Sequence, residues 1–121
     1  MQYLLLIYHS EAEWGKLTPA EHATLYQESG QLREDLTGKG KFLGGNQLAA
    51  TTMATAVRVR DGKRVITDGP FAETKEQLAG YFLVNANDLD EAIAIAARIP
   101  SARNGTIEVR PLAVRGQAMQ V

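Results

Sequence analysis

Two short runs, Tyr3-Leu-Leu-Leu-Ile-Tyr8 and Gly80-Tyr-Phe-Leu-Val84, are apolar without the alternation of a half-exposed strand. Each reads as a strand that offers apolar side chains to both of its faces. Only two long helical patterns accompany them, and two helices cover one face of a sheet. The other face is then a large apolar patch, which monomers in water rarely tolerate. The sequence therefore predicts a homodimer whose sheets pack face to face, unless the loop over residues 44–55 folds across the sheet instead.

The remaining pattern fits between these runs. Thr18-Pro-Ala-Glu21 opens the first helix: Thr18 and Glu21 can form a capping box, and Pro19 suits the first turn. His22, Leu25, Leu32 and Leu36 share one face of it, and Gly38 or Gly40 ends it. Residues 41–48 form a second strand, with Gly44-Gly45 marking a bulge. Ala56-Val-Arg-Val-Arg60, the Asp61-Gly62 turn and Arg64-Val-Ile-Thr67 make a hairpin. Asp88-Leu-Asp-Glu91 caps a second helix with a stripe of Leu89, Ala92, Ile93, Ala96 and Ala97, stopped by Pro100. In the last strand, residues 106–110, Ile107 and Val109 face one way and Glu108 and Arg110 the other. The order is that of an α+β, ferredoxin-like βαββαβ domain with an inserted hairpin. It spans residues 1–112, and residues 113–121 read as a C-terminal tail.

Charge and composition narrow the function. The formal net charge is -1, with six acids and six bases in residues 1–60 and eight and seven in residues 61–121. No basic face is set up to capture nucleic acid. The absence of cysteine excludes disulfides and thiolate chemistry. Two distant histidines make a poor metal site, and no phosphate-cradling or nucleophile-elbow motif is present, so no cofactor is expected. The first apolar run is too short to span a membrane and lacks the flanks of a secretion signal, which gives an expectation of a cytoplasmic protein.

The densest chemistry lies in Thr67-Asp-Gly-Pro-Phe-Ala-Glu-Thr-Lys-Glu76. An aspartate often closes a turn on the N–H two residues later, but here that residue is Pro70, which has none. The Asp68 carboxylate is left for Phe71 N–H, for a histidine or for a ligand. Pro70 should hold Gly69 extended and deliver Phe71 to a fixed place against the sheet. Asp68 is thus either a turn residue or a site residue. Glu73 sits close to the Phe71 anchor, while Lys75 and Glu76 read as a solvated part of the loop.

His22 points at the sheet from the first helix. With Asp68 as orienter it would make an acid–base pair; alternatively it is a core histidine bonded to a backbone carbonyl. His9 is either at a pocket rim or on the surface. Tyr81 would help wall a pocket or pack in the core. Arg110 would hold an anionic ligand or pair with Glu108.

The signature loop, with Gly80-Tyr-Phe82, Leu89-Asp-Glu-Ala-Ile93, Ile99-Pro100 and Val109-Arg-Pro111, resembles the YCII-related proteins of the DGPF type. The resemblance implies a ferredoxin-like fold assembled as a dimeric α/β barrel. It also implies a pocket with a histidine and an aspartate, with no general reaction established for the group. The signature positions carried over are Asp68, Gly69, Pro70, Phe71, Glu73, Lys75 and Glu76, with His22 as the histidine. Some relatives are associated with extracytoplasmic-function sigma factors, which implies a regulatory link.

Two functions follow as expectations. One is a small-molecule enzyme or binding protein in which Asp68 and His22 handle protons and Phe71, Glu73, Tyr81 and Arg110 contact the ligand. The other is a non-catalytic module that docks a regulatory partner through the loop. A dimeric scaffold without a ligand is a third.

Overall fold

The structure, a computed structural model, describes residues 1–114. Its elements are β1 (Gln2–His9), α1 (Glu11–Trp14), α2 (Pro19–Gly38), β2 (Phe42–Gln47), β3 (Thr55–Arg60), β4 (Lys63–Asp68), β5 (Gln77–Asn85), α3 (Leu89–Ala97) and β6 (Thr106–Pro111). Short 3-10 turns lie at Thr51–Met53 and Pro100–Arg103. Among the described residues no helix is long and apolar enough to cross a membrane. Of the expected tail, residues 115–121 lie outside the described residues.

Strands β1, β2, β5 and β6 form one antiparallel sheet in the order β2-β5-β1-β6. Helix α2 joins β1 to β2, which lie two positions apart, and β5 fills the gap between them. Helix α3 joins β5 to β6, and β1 fills that gap. Each βαβ half thus completes the other, an arrangement compatible with a ferredoxin-like α+β fold.

Both helices lie on one face. There Tyr3, Leu5, Phe82 and Val84 are buried against Leu32 and Leu36 of α2, Ala92, Ile95 and Ala96 of α3, and Ile99 beyond it. Fully burying side chains of this size contributes about 1.5–3 kcal/mol each, which is what holds the helices down. Ile107 and Val109 pack against the same core. Glu108 and Arg110 therefore face the other way, and Arg110 Nε donates to Glu108 Oε2 at 3.0 Å.

The helix starts follow the local chemistry. Glu21 N donates to Thr18 Oγ1 at 3.1 Å and Thr18 N to Glu21 Oε1 at 3.0 Å, a complete capping box. Glu91 N donates to Asp88 Oδ1 at 2.9 Å. The Glu91 carboxylate also takes Lys41 Nζ at 2.8 Å, which ties α3 to the edge of β2.

The stripe of α3 differs from the expected one. Leu89 is 50% exposed and Ile93 49%, and Ala97 is also exposed, while Ile95 and Ile99 are buried. The alanines fit either face, so the long side chains choose; the helix is rotated to bury Ile95, which continues through Ile99 into the core.

Hairpin β3–β4 stands apart as its own two-stranded sheet. Asp61 at φ 52° and Gly62 at φ 73° give the twin left-handed turn that matches strand twist. Val57, Val59, Val65 and Ile66 are all exposed on it. Gly69 takes φ 94°, so the chain enters Pro70 from a backbone region glycine alone occupies readily, and not from the expected extended one.

Candidate functional site

The site grows from Ser10. Its side chain accepts Glu13 N at 3.2 Å and caps the single-turn helix α1. Glu11 N donates to Gln77 Oε1 at 2.8 Å, which fastens the turn to β5. Helix α1 thereby folds Trp14 back over the end of β1. The Trp14 ring lies between two histidines: His9 at 4.9 Å with planes 9° apart, and His22 at 4.4 Å with planes 23° apart. Tyr26 meets Trp14 edge-on at 5.8 Å.

His22 Nε2 lies 2.9 Å from Trp14 O. A carbonyl only accepts, so Nε2 carries the proton and His22 fastens α1 to α2. The geometry is the backbone-bonded alternative weighed for this residue.

His9 is different. Its side chain makes no hydrogen bond among the described residues, and its Nδ1 is buried without a partner there. Nε2 is the nitrogen that remains reachable. Burial holds the ring's pKa below the usual histidine value, and the opposing pull of the Glu11 and Glu76 carboxylates does not cancel it. His9 is therefore neutral at neutral pH. With the orphaned nitrogen as a lone pair, Nε2–H becomes a donor to whatever oxygen approaches.

A cavity of about 110 Å³ opens between α2 and the sheet, with His9 in its wall. Ile7, Leu25, Phe82 and Ile99 make its apolar floor, and Ser29, Gln47 and Ser101 supply polar groups, with the Asn46 backbone beside them. Gly80 also lines it; a Cβ there would stand 2.8 Å from Asn46 O, so close strand approach and an open floor have the same cause. Gln47 Nε2 donates to Tyr26 Oη at 3.2 Å beside it. A second cavity of about 100 Å³ lies against His9, Trp14 and Leu17.

Asp68 lies elsewhere. It lines an open groove with Thr51, Gly69, Pro70, Glu73 and Gln77. Its carboxylate is exposed and makes no hydrogen bond among the described residues. His22 is not in that groove, so one protomer does not join the two residues into a pair. Gln77 is the link to His9: it lines the groove and is His9's cross-strand neighbour.

Phe71 is 80% exposed, so the expected anchor against the sheet is not made within the chain. With φ positive at Gly69, the loop swings the ring outward. Glu73 is exposed beside it. Tyr81 lies on the sheet face away from the helices, where its hydroxyl takes Asn46 Nδ2 at 3.2 Å. Arg110 is on that face too, paired with Glu108.

Trp14, Tyr26 and Arg33 have no place in the sequence reading of the site. The signal for Trp14 is Ser10-x-x-Glu13, a capping pattern in a stretch too short to show helical periodicity.

Residues 1–114 match the YCII-related domain. An uncharacterized protein of Rhizobium meliloti (strain 1021) is 34% identical over 116 residues, 94% of each chain. The protein thus belongs to the YCII-related domain family.

Proposed function

We propose that the protein binds a small molecule in the cavity beside Trp14, and that His9, as a neutral imidazole, gives it a hydrogen bond through Nε2–H. The observation that carries this reading is the buried, unpartnered Nδ1 of His9 in a ring that lines a cavity. Buried polar atoms normally have partners, and an orphan at a cavity wall is a common mark of a functional group. This keeps an acid–base histidine and places it at His9, with His22 and Trp14 as its support. Asp68, in the groove across Gln77, is the carboxylate offered to the same end of the fold.

The reading includes a dimer. Leu4, Leu6, Tyr8, Tyr81 and Leu83 lie on the sheet face that no helix covers. Two copies pairing these faces would close a barrel and bury them.

Binding is tested with 3-methylbutanamide, a neutral probe of suitable size, followed through the methyl resonances of Ile7 and Ile99. Saturable shifts are expected. Leu25→Trp should abolish them by filling the cavity while the thermal transition persists. His9→Gln should weaken binding about two- to tenfold, the effect of one hydrogen bond. Shifts that survive Leu25→Trp, or none in the wild type, would sink the proposal.

The exposed ring of Phe71 favours a second reading, in which the 68–76 loop docks a protein partner. The partner class we attach to it, an extracytoplasmic-function sigma factor, comes from the resemblance alone.

A further inference from the structure

The cavity beside His9 carries an unbalanced charge. Arg33 of α2 is in its wall, and no aspartate or glutamate among the described residues lines it. Elsewhere Lys16, Lys41, Arg98, Arg103 and Arg110 each meet a carboxylate. Among the described residues Arg33 meets none, nor do Lys39, Arg58, Arg60, Lys63, Arg64 and Lys75, and Arg33 alone of these lines the cavity.

Arg33 is nonetheless held in place. Its guanidinium carbon lies 5.5 Å from the centre of the Phe42 ring and 5.8 Å from that of Phe82. Those rings pack edge to face at 5.4 Å. Aromatic faces fix a guanidinium through its charge and flatness without neutralising it. Its N–H fork is left free, and a fork of that geometry matches a carboxylate.

We infer that the ligand is a small carboxylate with an apolar body. This rests on the small-molecule reading of the same cavity. The carboxylate meets the Arg33 guanidinium, and the body lies on Ile7, Phe82 and Ile99. A polar atom of the ligand, if it has a second one, meets His9. A neutral His9 leaves Arg33 as the one charge in the wall, so a single negative charge balances the site. At about 110 Å³ the cavity is smaller than the roughly 150 Å³ space that admits benzene. The enclosed part of the ligand is therefore a short or branched chain, or a ring that protrudes at the mouth.

The test compares 3-methylbutanoate with its isosteric amide on the wild type and on Arg33→Gln, by the same methyl resonances. The acid should bind the wild type about two- to fivefold more tightly than the amide, as an ion pair at a solvent-exposed guanidinium gives. Arg33→Gln should remove that preference and leave the amide's affinity within about twofold, since the side chain is at the exposed end of the cavity. Equal affinities on the wild type would overturn the carboxylate inference while leaving the cavity as a binding site. A preference that persists in Arg33→Gln would overturn it too, as would equal weakening of both probes. Failure of both probes on the wild type would remove the underlying reading as well.

Discussion

A charged imidazole carries an N–H on both nitrogens, and the buried Nδ1 of His9 has no acceptor among the described residues. The charged ring is therefore disfavoured in the folded chain and unhindered in the unfolded one. The sign follows directly. The folded pKa is depressed, so above the usual value of 6.5 both states are neutral and the full stability is present. As pH falls below 6.5, the unfolded chain takes up a proton first, and stability declines until the folded ring also charges. Three other shifted acids, Glu21, Glu28 and Glu91, are depressed from 4.5 and act in a lower window. Denaturant unfolding between pH 7.5 and 5.5 should thus show a decline that His9→Phe removes, because phenylalanine keeps the stack on Trp14 and has no proton to bind. An identical slope in the variant would mean that His9 is not protected. The same orphan nitrogen explains why the ring is suited to meet a ligand as a neutral donor.

At the scale of elements, what was legible in the sequence was local. The capping box at Thr18–Glu21 and the Asp88 cap on Glu91 N act over three residues, and both helices begin where those residues stand; the Glu91 carboxylate goes to Asn87 N and leaves the second box open. The Asp61-Gly62 turn fixes the hairpin in the same way. The site was not legible because it is assembled from afar. His9 ends a strand, Trp14 comes from a one-turn helix too short for periodicity, and Arg33 reaches the cavity only because Phe42 and Phe82 are neighbouring strands' residues. The Asp68–His22 pairing required a tertiary placement that one protomer does not provide. For α3, alanines on both faces concealed which isoleucine goes inside. The loop after β4 carries its own prediction. Phe71 and Glu73 are exposed and hydrogen-bond through their side chains to nothing among the described residues, and exposed substitutions of this kind change stability by less than about 0.5 kcal/mol. Phe71→Ala and Glu73→Ala should keep the wild-type unfolding curve. If the loop docks a sigma factor, both should lower its recovery in a pulldown with purified components; equal recovery would count against docking and leave the pocket as the functional element.

For the whole molecule, the two faces of the sheet are unequal in a way one chain cannot resolve. The helical face is buried by Leu32, Leu36 and Ile95, whereas Leu6, Tyr81 and Leu83 lie outside that core and are only part-buried among the described residues. The exposed valines of the hairpin add to the apolar surface. A second copy laid on the sheet face would remove that face from water and leave the helices outside, which is why we propose a barrel of two sheets over a lone chain. Leu6 tests it well, because it is central in the register, opposite Tyr81 on one side and Glu108 on the other. Its side chain is away from the helical core, so Leu6→Asp should leave the protomer folded. In a dimer the new carboxylate is buried twice, once per copy, beside the Glu108 carboxylate. An uncompensated buried charge costs about 3–5 kcal/mol, or at least a hundredfold in dissociation constant. Sedimentation at micromolar concentration should therefore give twice the chain mass for the wild type and a single chain for Leu6→Asp, with matching far-ultraviolet circular dichroism. A wild type that sediments as one chain would refute the pairing. A variant that remains paired would place the contact on another surface, the hairpin being the next to examine.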